Sequence, residues 1–306
     1  GYGLLHLNKH LWKLNQDASL STRGIFVRSL LQQQEKLWIG SLNGKLSLLL
    51  NGKLHTYALP KKIGTCSILS LRELPAQKLL IGSSCGLLLF NEQNLRFSQI
   101  PLSDGRKERI NCITQVDNFY ILGGTNSPQL YKLEFKNNVA ITAAFLRLTQ
   151  GVRALTQLPN STVLAALTTG GLQLIDPKIN LPIHQKIVLA NIVVNHILID
   201  NAELILATSN GIWKSDFNLT SLRQITLNDV YCNAIQQDNI GNLWVSSNSG
   251  IYKLKPSHTG FCVFKESDGL QADEFNIACS TKGPKGQLVF GGVNGLNAII
   301  PNSFLP

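Results

Sequence analysis

The sequence is short of charge, contains no methionine and has no apolar run long enough to span a bilayer. Charged residues make up 15% of its 306 residues, whereas ordinary globular domains contain about 25%. We therefore expect most of its secondary structure to be buried. Because neither a starting methionine nor a signal peptide precedes Gly1, we also expect a segment of a longer protein.

The six cysteines stand far apart, and none of them has the CxxC spacing that is typical of metal sites. This spacing predicts neither a metal site nor a disulfide framework. Three of them, Cys112, Cys232 and Cys279, fall on predicted inner strands, where we expect them to act as small buried hydrophobic residues. The sequence also lacks GxSxG, HExxH, phosphate-loop and dinucleotide-binding motifs. We accordingly expect no catalytic residues, no metal and no cofactor.

Lysine and arginine exceed aspartate and glutamate by 28 to 18, which gives a formal net charge of +10. Such an excess favours anionic partners in general. The basic residues are scattered as singles and pairs, such as Lys61 and Lys62, without interleaved aromatic residues. This distribution argues against nucleic acid as a partner.

One pattern recurs about every 42 residues: a short apolar run, then small polar residues, then glycine. It is clearest in residues 37–44, which read LWIGSLNG. The remaining copies are 79–86, 163–170, 204–211, 243–250 and 288–295, with a degenerate copy near 119–126. Each copy predicts a strand, a tight turn and a second strand, and no helical pattern fits between the copies.

A fixed period of this length, made only of short strands, is typical of a propeller, in which each sheet packs against its two neighbours. Seven copies predict an all-β fold: a seven-bladed β-propeller of four-stranded antiparallel blades, forming one domain over residues 1–306. The last copy supplies three strands and no fourth. We expect an N-terminal run, either 4–7 or 11–14, to close this blade.

The first strand of each repeat is predicted to be the innermost, and its second position is polar in five repeats. Leu69 breaks this pattern in the second repeat. Since alternate residues of a strand share one side, we expect the polar residues to converge on the axial mouth of the ring. The predicted ligand-binding residues are Arg28, Asn111, Arg153, Asn195 and Asn233, with Arg23, Arg109 and Asn276 at the rim. In the alternative interpretation they satisfy carbonyls or waters in the central channel.

Two or more arginines in such a mouth suit an anionic ligand, because guanidinium groups pair with carboxylate or sulfate through two parallel hydrogen bonds. The sequence therefore predicts a small ligand, anionic or an oligosaccharide, at the axial mouth.

The sequence of residues 264–278 (FKESDGLQADEFNIA), followed by 286–296 (GQLVFGGVNGL), resembles the last blade of two-component regulator propeller domains. These are the sensory regions of bacterial hybrid histidine kinases and related membrane signalling proteins. Residues 37–41 (LWIGS) and 238–246 (DNIGNLWVS) agree with the repeat of that family. The resemblance therefore covers the whole chain.

The resemblance implies a periplasmic sensor domain, the extracytoplasmic part of an inner-membrane protein. Members of the family continue into a small β-sandwich, a transmembrane helix and cytoplasmic output domains, and we expect these parts and a homodimer in the full-length protein. Several members sense oligosaccharides. We expect a ligand-binding module and not an enzyme.

Two other classes of function stay open at this stage. Propellers also host enzymes such as polysaccharide lyases and glycosidases in the same axial mouth, but these need acid or base groups, and the aligned mouth positions are arginine and asparagine. A protein-interaction platform is the other alternative, because propellers carry many functions.

Overall fold

The computed structural model describes residues 22–183, 187–201, 203–257 and 260–301. Over these ranges the chain forms seven antiparallel sheets. The sheets are the blades of a closed ring, so the predicted seven-bladed propeller is confirmed. The degenerate copy near residues 119–126 forms blade 3 like the others.

In the first six blades the four strands lie side by side in chain order. The strands of blades 1 to 3 are β1 (Val27–Gln33), β2 (Lys36–Ser41), β3 (Lys45–Leu50), β4 (Lys53–Ala58), β5 (Ile68–Leu74), β6 (Lys78–Ser83), β7 (Gly86–Asn91), β8 (Arg96–Ile100), β9 (Cys112–Val116), β10 (Phe119–Gly123), β11 (Gln129–Lys136) and β12 (Val139–Arg147). Those of blades 4 to 6 are β13 (Val152–Gln157), β14 (Val163–Leu167), β15 (Leu172–Asp176), β16 (Leu181–Pro182), β17 (Val194–Asp200), β18 (Glu203–Thr208), β19 (Gly211–Ser215), β20 (Arg223–Thr226), β21 (Cys232–Gln237), β22 (Leu243–Ser247), β23 (Ile251–Leu254) and β24 (Phe261–Phe264).

Blade 7 contributes three strands within the described residues: β25 (Phe275–Lys282), β26 (Leu288–Gly292) and β27 (Gly295–Ile299). A 3-10 helix, Glu266–Asp268, precedes it. The two runs predicted to supply a fourth strand, 4–7 and 11–14, lie outside the described residues. The segment just before β1 does contact this blade, because Leu296 donates its backbone N–H to Thr22 Oγ1 at 3.3 Å.

The hydrophobic core lies between the blades. Seven clusters of buried side chains each join two adjacent blades, and the set includes a cluster between blades 7 and 1. In that last cluster, Val27 and Ile39 of blade 1 meet Val289 and Leu296 of blade 7. Second strands such as β14 are buried along their whole length because a neighbouring blade covers each face. This explains why their sequences are continuously apolar and not alternating.

The recurring small polar residue and glycine of each repeat stabilise the turn between the second and third strands. Ser247 Oγ donates to the carbonyl of Gly250 at 3.0 Å and accepts the backbone N–H of Ser249 at 2.8 Å. Gly250 has a φ of +111°, and a Cβ there would lie 2.1 Å from the carbonyl oxygen of Phe264. Ser83 and Thr208 make the same bond to the carbonyl of their own turn glycine. The repeat signature is thus a requirement of the turn.

Trp38 and Trp244 pack in the clusters between blades. Each is 1% exposed. The indole N–H of Trp38 donates to Gln33 Oε1 at 2.7 Å, and that of Trp244 donates to Asp238 Oδ2 at 3.0 Å. The two indole rings are therefore not accessible to a ligand.

The cysteines follow the predictions in part. Cys112, Cys232 and Cys279 are buried on inner strands, as expected, and burial raises the pKa of each thiol to about 12. Cys66 and Cys85, however, form a disulfide bond with a Cα–Cα distance of 5.7 Å. The prediction of no disulfide framework did not anticipate this bond, because the two residues are 19 positions apart and meet only when the loop before β5 packs on the turn between β6 and β7.

Over the same described ranges, no helix is long and apolar enough to cross a membrane.

Candidate functional site

A β-bulge positions the aligned residues near the axis of the ring. In blade 1, Val27 pairs with Ser41 and Ser29 pairs with Gly40, so Arg28 is an extra residue without an opposite partner. The same register shift occurs at the second position of β5, β13, β17 and β21. A bulge turns its extra side chain away from the regular faces of a sheet. The shared orientation that we predicted from strand alternation comes from this repeated bulge, except at Asn111, which lies just before β9 and has no such shift in its pairing.

The asparagines of blades 5 to 7 form hydrogen bonds between blades. Asn195 donates through Nδ2 to the carbonyl of Cys232 at 2.8 Å, and Asn233 donates to the carbonyl of Phe275 at 2.8 Å. Asn276 donates in the same way to the carbonyl of Val27 at 2.6 Å. In each pair the acceptor is the first residue of the next blade's inner strand.

These three asparagines are buried, and they are not among the residues that line the axial cavity described below. Asn195, Asn233 and Asn276 are 0%, 1% and 6% exposed. The alternative interpretation, in which the polar residues satisfy backbone carbonyls, therefore describes their contacts. The short amide side chain reaches the neighbouring strand and remains there. Arg23, predicted at the rim, is exposed and lies outside the cavity described next.

A cavity of 360 Å³ opens at the axial mouth, at the end of the ring where the chain enters the inner strands. Blades 7, 1, 2, 3 and 4 contribute its lining. The lining residues are Arg28, Leu69, Arg109, Asn111, Thr125, Asn126, Arg153, Thr168, Ile277 and Ala278. Four of the predicted residues are thus brought together: Arg28, Arg109, Asn111 and Arg153.

Three guanidinium groups share this cavity, and its lining includes no carboxylate. Arg28 donates through Nη1 to Asn276 Oδ1 at 3.3 Å, whereas the buried Nε atoms of Arg28 and Arg153 have no hydrogen-bond partner. The ion pairs formed among the described residues do not include these arginines. The mouth therefore concentrates unneutralised positive charge.

Arg109 lies close enough to Arg28 for the two charges to interact. Burial, and next the positive charge of Arg28, lower the pKa of Arg109 below its ordinary value. Its Nε donates to Asn111 Oδ1 at 3.0 Å. The same oxygen accepts the backbone N–H of Thr125 at 3.3 Å. Asn111 thus fixes the orientation of a guanidinium beside a second guanidinium.

The lining also has an aliphatic part, which comes from positions where the repeat is altered. Leu69 occupies the bulge position of blade 2. In blade 7 the bulge is longer: Phe275 pairs with Gly292, and the next pair is Ser280 with Phe290. This places Ile277 and Ala278 at the cavity, and Ala278 has a φ of +52°.

Sequence reasoning missed six of the lining residues. Thr125 and Thr168 occupy the same position of the turn after the second strand, where the first repeat has Leu42. Other repeats also have a polar residue at this position, such as Ser84 and Ser209, so the sequence offered no signal for the two threonines. Leu69 breaks the polar pattern of the repeats, and the sequence-based prediction did not include it in the site.

Among the residues that the structure describes, there is no group of three or more histidine, cysteine, aspartate or glutamate side chains that could hold a metal ion.

Neither family models nor curated proteins give a match to this sequence. Solved structures share this propeller fold. The extracellular domain of the hybrid two-component system BT3049 from B. thetaiotaomicron matches with a TM-score of 0.79 and 21% identity. That of BT4673 from the same organism matches with a TM-score of 0.75 and 17% identity.

These two alignments cover 95% and 94% of this chain but only 41% and 39% of the longer proteins. An enzyme shares the fold as well. The virginiamycin B lyase from Staphylococcus aureus matches with a TM-score of 0.71 and 12% identity over 94% of this chain and 98% of the lyase. The fold is therefore common to sensor regions and to a lyase, and the functional conclusion depends on the site.

Proposed function

We propose that this chain is the ligand-binding propeller of the extracytoplasmic sensor region of a membrane signalling protein, and that a small anion binds in its axial cavity. The observation that supports this most directly is the group formed by Arg28, Arg109 and Arg153, which share one cavity without a carboxylate. The repeat sequence agrees with that of two-component regulator propellers.

The physical argument for an anion is the balance of charge. Desolvated cations that lack a partner destabilise a fold, and proteins normally pair them. Here the two buried Nε atoms of Arg28 and Arg153 have no hydrogen-bond acceptor, and Arg109 is repelled by Arg28. A carboxylate, sulfate or phosphate group supplies acceptors and removes the repulsion.

Two further observations favour a sensor outside the cytoplasm. The fold is shared with extracellular domains of hybrid two-component systems, which continue well beyond the matched region. The disulfide between Cys66 and Cys85 is typical of proteins in oxidising compartments. This proposal also includes a periplasmic location, a following β-sandwich, a transmembrane helix and output domains, and a homodimer of the whole protein.

A binding role agrees with the chemistry of the mouth better than an enzymatic one. Lyases and glycosidases need a general acid or base, and the cavity lining includes no histidine, aspartate or glutamate. In the virginiamycin B lyase, a variant with histidine replaced by alanine is catalytically inactive. Arginines and amides bind and orient an anion but do not transfer its protons near neutral pH.

A thermal-shift screen tests the proposal. The chain is melted in buffer free of phosphate and sulfate, with inorganic anions, organic acids, amino acids and neutral oligosaccharides added in turn. A ligand that binds only the folded state raises the melting temperature. We expect acids to raise it and neutral oligosaccharides to leave it unchanged. A response to neutral sugars alone would contradict the anion assignment.

A further inference from the structure

The cavity contains aliphatic groups where the other blades have polar ones. In blade 2 the bulge position holds Leu69, whereas four blades have asparagine at the equivalent position: Asn111, Asn195, Asn233 and Asn276. Asparagine at such a position bonds a neighbouring carbonyl or a threonine. Leucine offers no such bond, and Leu69 lines the cavity instead. The side chain of Leu69 is therefore placed to contact a molecule bound in the cavity.

Blade 7 makes a second aliphatic contribution through an unusual piece of backbone. Its longer bulge carries Ile277 and Ala278 into the lining, and Ala278 is exposed with a left-handed φ of +52°. A left-handed conformation is unfavourable for alanine because its Cβ crowds the carbonyl oxygen. Strained residues of this kind tend to gather at binding sites, where the surrounding structure imposes them.

The aliphatic and cationic groups alternate around the mouth. Arg28 of blade 1 stands between Ile277 of blade 7 and Leu69 of blade 2, and Arg109 of blade 3 follows Leu69. An acid group that reaches both Arg28 and Arg109 therefore places its attached atoms beside Leu69. None of the lining residues is aromatic, so stacking on a ring is not the mode of recognition.

We propose that the ligand is an aliphatic organic acid, with its acid group bound among the mouth arginines Arg28, Arg109 and Arg153 and its hydrocarbon body packed against Leu69 and Ile277. This inference rests on the proposed function, and it adds the class of ligand and two specificity-determining residues. A cavity of 360 Å³ lies at the small end of the range for ligand sites. It suits a short carboxylic acid.

A series of carboxylates tests this directly. Acetate, butyrate and hexanoate are titrated into the whole chain, with binding followed by NMR chemical-shift changes. Each methylene that the cavity buries should raise the affinity about fourfold. Sulfate and glucuronate are the contrasting probes, since sulfate has no hydrocarbon body and glucuronate has a body covered with hydroxyl groups. Both should bind less tightly than hexanoate.

The matched variants are Leu69→Asn and Leu95→Asn. The first introduces the residue that other blades have at the bulge, so the fold should accept it. Leu95 is exposed on the same blade, in the turn between β7 and β8. Leu69→Asn should reduce the gain per methylene to less than twofold, whereas Leu95→Asn should behave like the parent chain. If Leu69→Asn lowers the melting temperature of the chain, Ile277→Ser provides an independent test of the same chain-length dependence.

The outcomes separate the two proposals. If the acids bind and Arg28→Ala weakens them, but chain length has no effect or glucuronate binds as tightly as hexanoate, the aliphatic assignment is wrong and the anion site stands. If no carboxylate or sulfate binds, or if Arg28→Ala changes nothing, both proposals are wrong. A gain with chain length that Leu69→Asn and Ile277→Ser both leave intact also contradicts the aliphatic assignment.

Discussion

Asn195 donates a hydrogen bond through Nδ2 to the carbonyl oxygen of Cys232 at 2.8 Å, joining the inner strands of blades 5 and 6. Asn233 and Asn276 repeat the bond toward blades 7 and 1. In blades 1 and 4 the equivalent residues are Arg28 and Arg153, whose longer side chains line the cavity instead. Side-chain hydrogen bonds near the axis therefore join blades 5, 6, 7 and 1. The axial cavity is lined by blades 7, 1, 2, 3 and 4.

The inter-blade bonds should contribute measurably to stability. Replacing Asn233 with alanine removes a buried bond and leaves the carbonyl of Phe275 without this donor. We expect the free energy of unfolding in urea to fall by about 1 to 3 kcal/mol. Asn239→Ala, an exposed position of the same blade, should change it by less than about 0.5 kcal/mol. Equal effects would show that the inter-blade bond is not stabilising.

A partly buried histidine should make stability depend on pH. Burial lowers the pKa of His196 to about 4, and its Nδ1 accepts the backbone N–H of Ile235 at 3.1 Å. The unfolded chain takes up this proton near pH 6.5. Between the two pKa values the unfolded state binds more protons, so stability is complete above about pH 6.5 and falls toward pH 4. The loss should be on the order of 3 kcal/mol.

Urea unfolding of His196→Asn at several pH values measures this contribution. The difference in free energy of unfolding between the variant and the parent chain should shrink as the pH falls from 7 to 4.5, because only the parent loses the stability that neutral His196 contributes. His55 is exposed on β4, so His55→Asn should keep the parent's pH dependence. A constant difference between His196→Asn and the parent would mean that His196 is not kept neutral by the fold.

The disulfide between Cys66 and Cys85 should stabilise the ring. It closes a loop of 19 residues, for which the chain-entropy estimate is about 3 kcal/mol. The double variant Cys66→Ala, Cys85→Ala should therefore unfold at lower urea concentration, and a reducing agent should lower the parent to a similar level. Cys262→Ser, at an exposed free cysteine, should change nothing. A parent chain that is insensitive to reduction would contradict this expectation.

The fold could be predicted from the sequence because most blades repeat a small polar residue and a glycine in the same turn. Ser247 and Gly250, for example, are required by one hydrogen bond and one left-handed φ. The approach of Arg28 and Arg153 to one axial cavity was also predictable, since both residues fall at the same position of their repeats. These features are local, so a short stretch of sequence determines them.

The different contacts of the aligned residues could not be predicted in the same way. Whether a side chain reaches the next blade's carbonyl or enters the cavity depends on its length and on the distance between blades. Asn195 and Arg153 occupy equivalent bulge positions and have different surroundings. The longer bulge that displays Ala278 depends on how blade 7 packs, and no turn signal in the sequence marks it.

The central claim is that the arginines of the axial mouth bind an anion. Its most direct measurement is the affinity, by calorimetric titration, of the acid that gives the largest thermal shift. Removing one charge-assisted contact costs roughly 1.5 to 3 kcal/mol, or about tenfold or more in affinity. Arg28→Ala and Arg153→Ala should each weaken binding by this factor while the melting temperature of the ligand-free chain stays nearly unchanged. Arg96→Ala, an exposed arginine of the outer strand β8, should bind as the parent does, and normal binding by both mouth variants would contradict the claim.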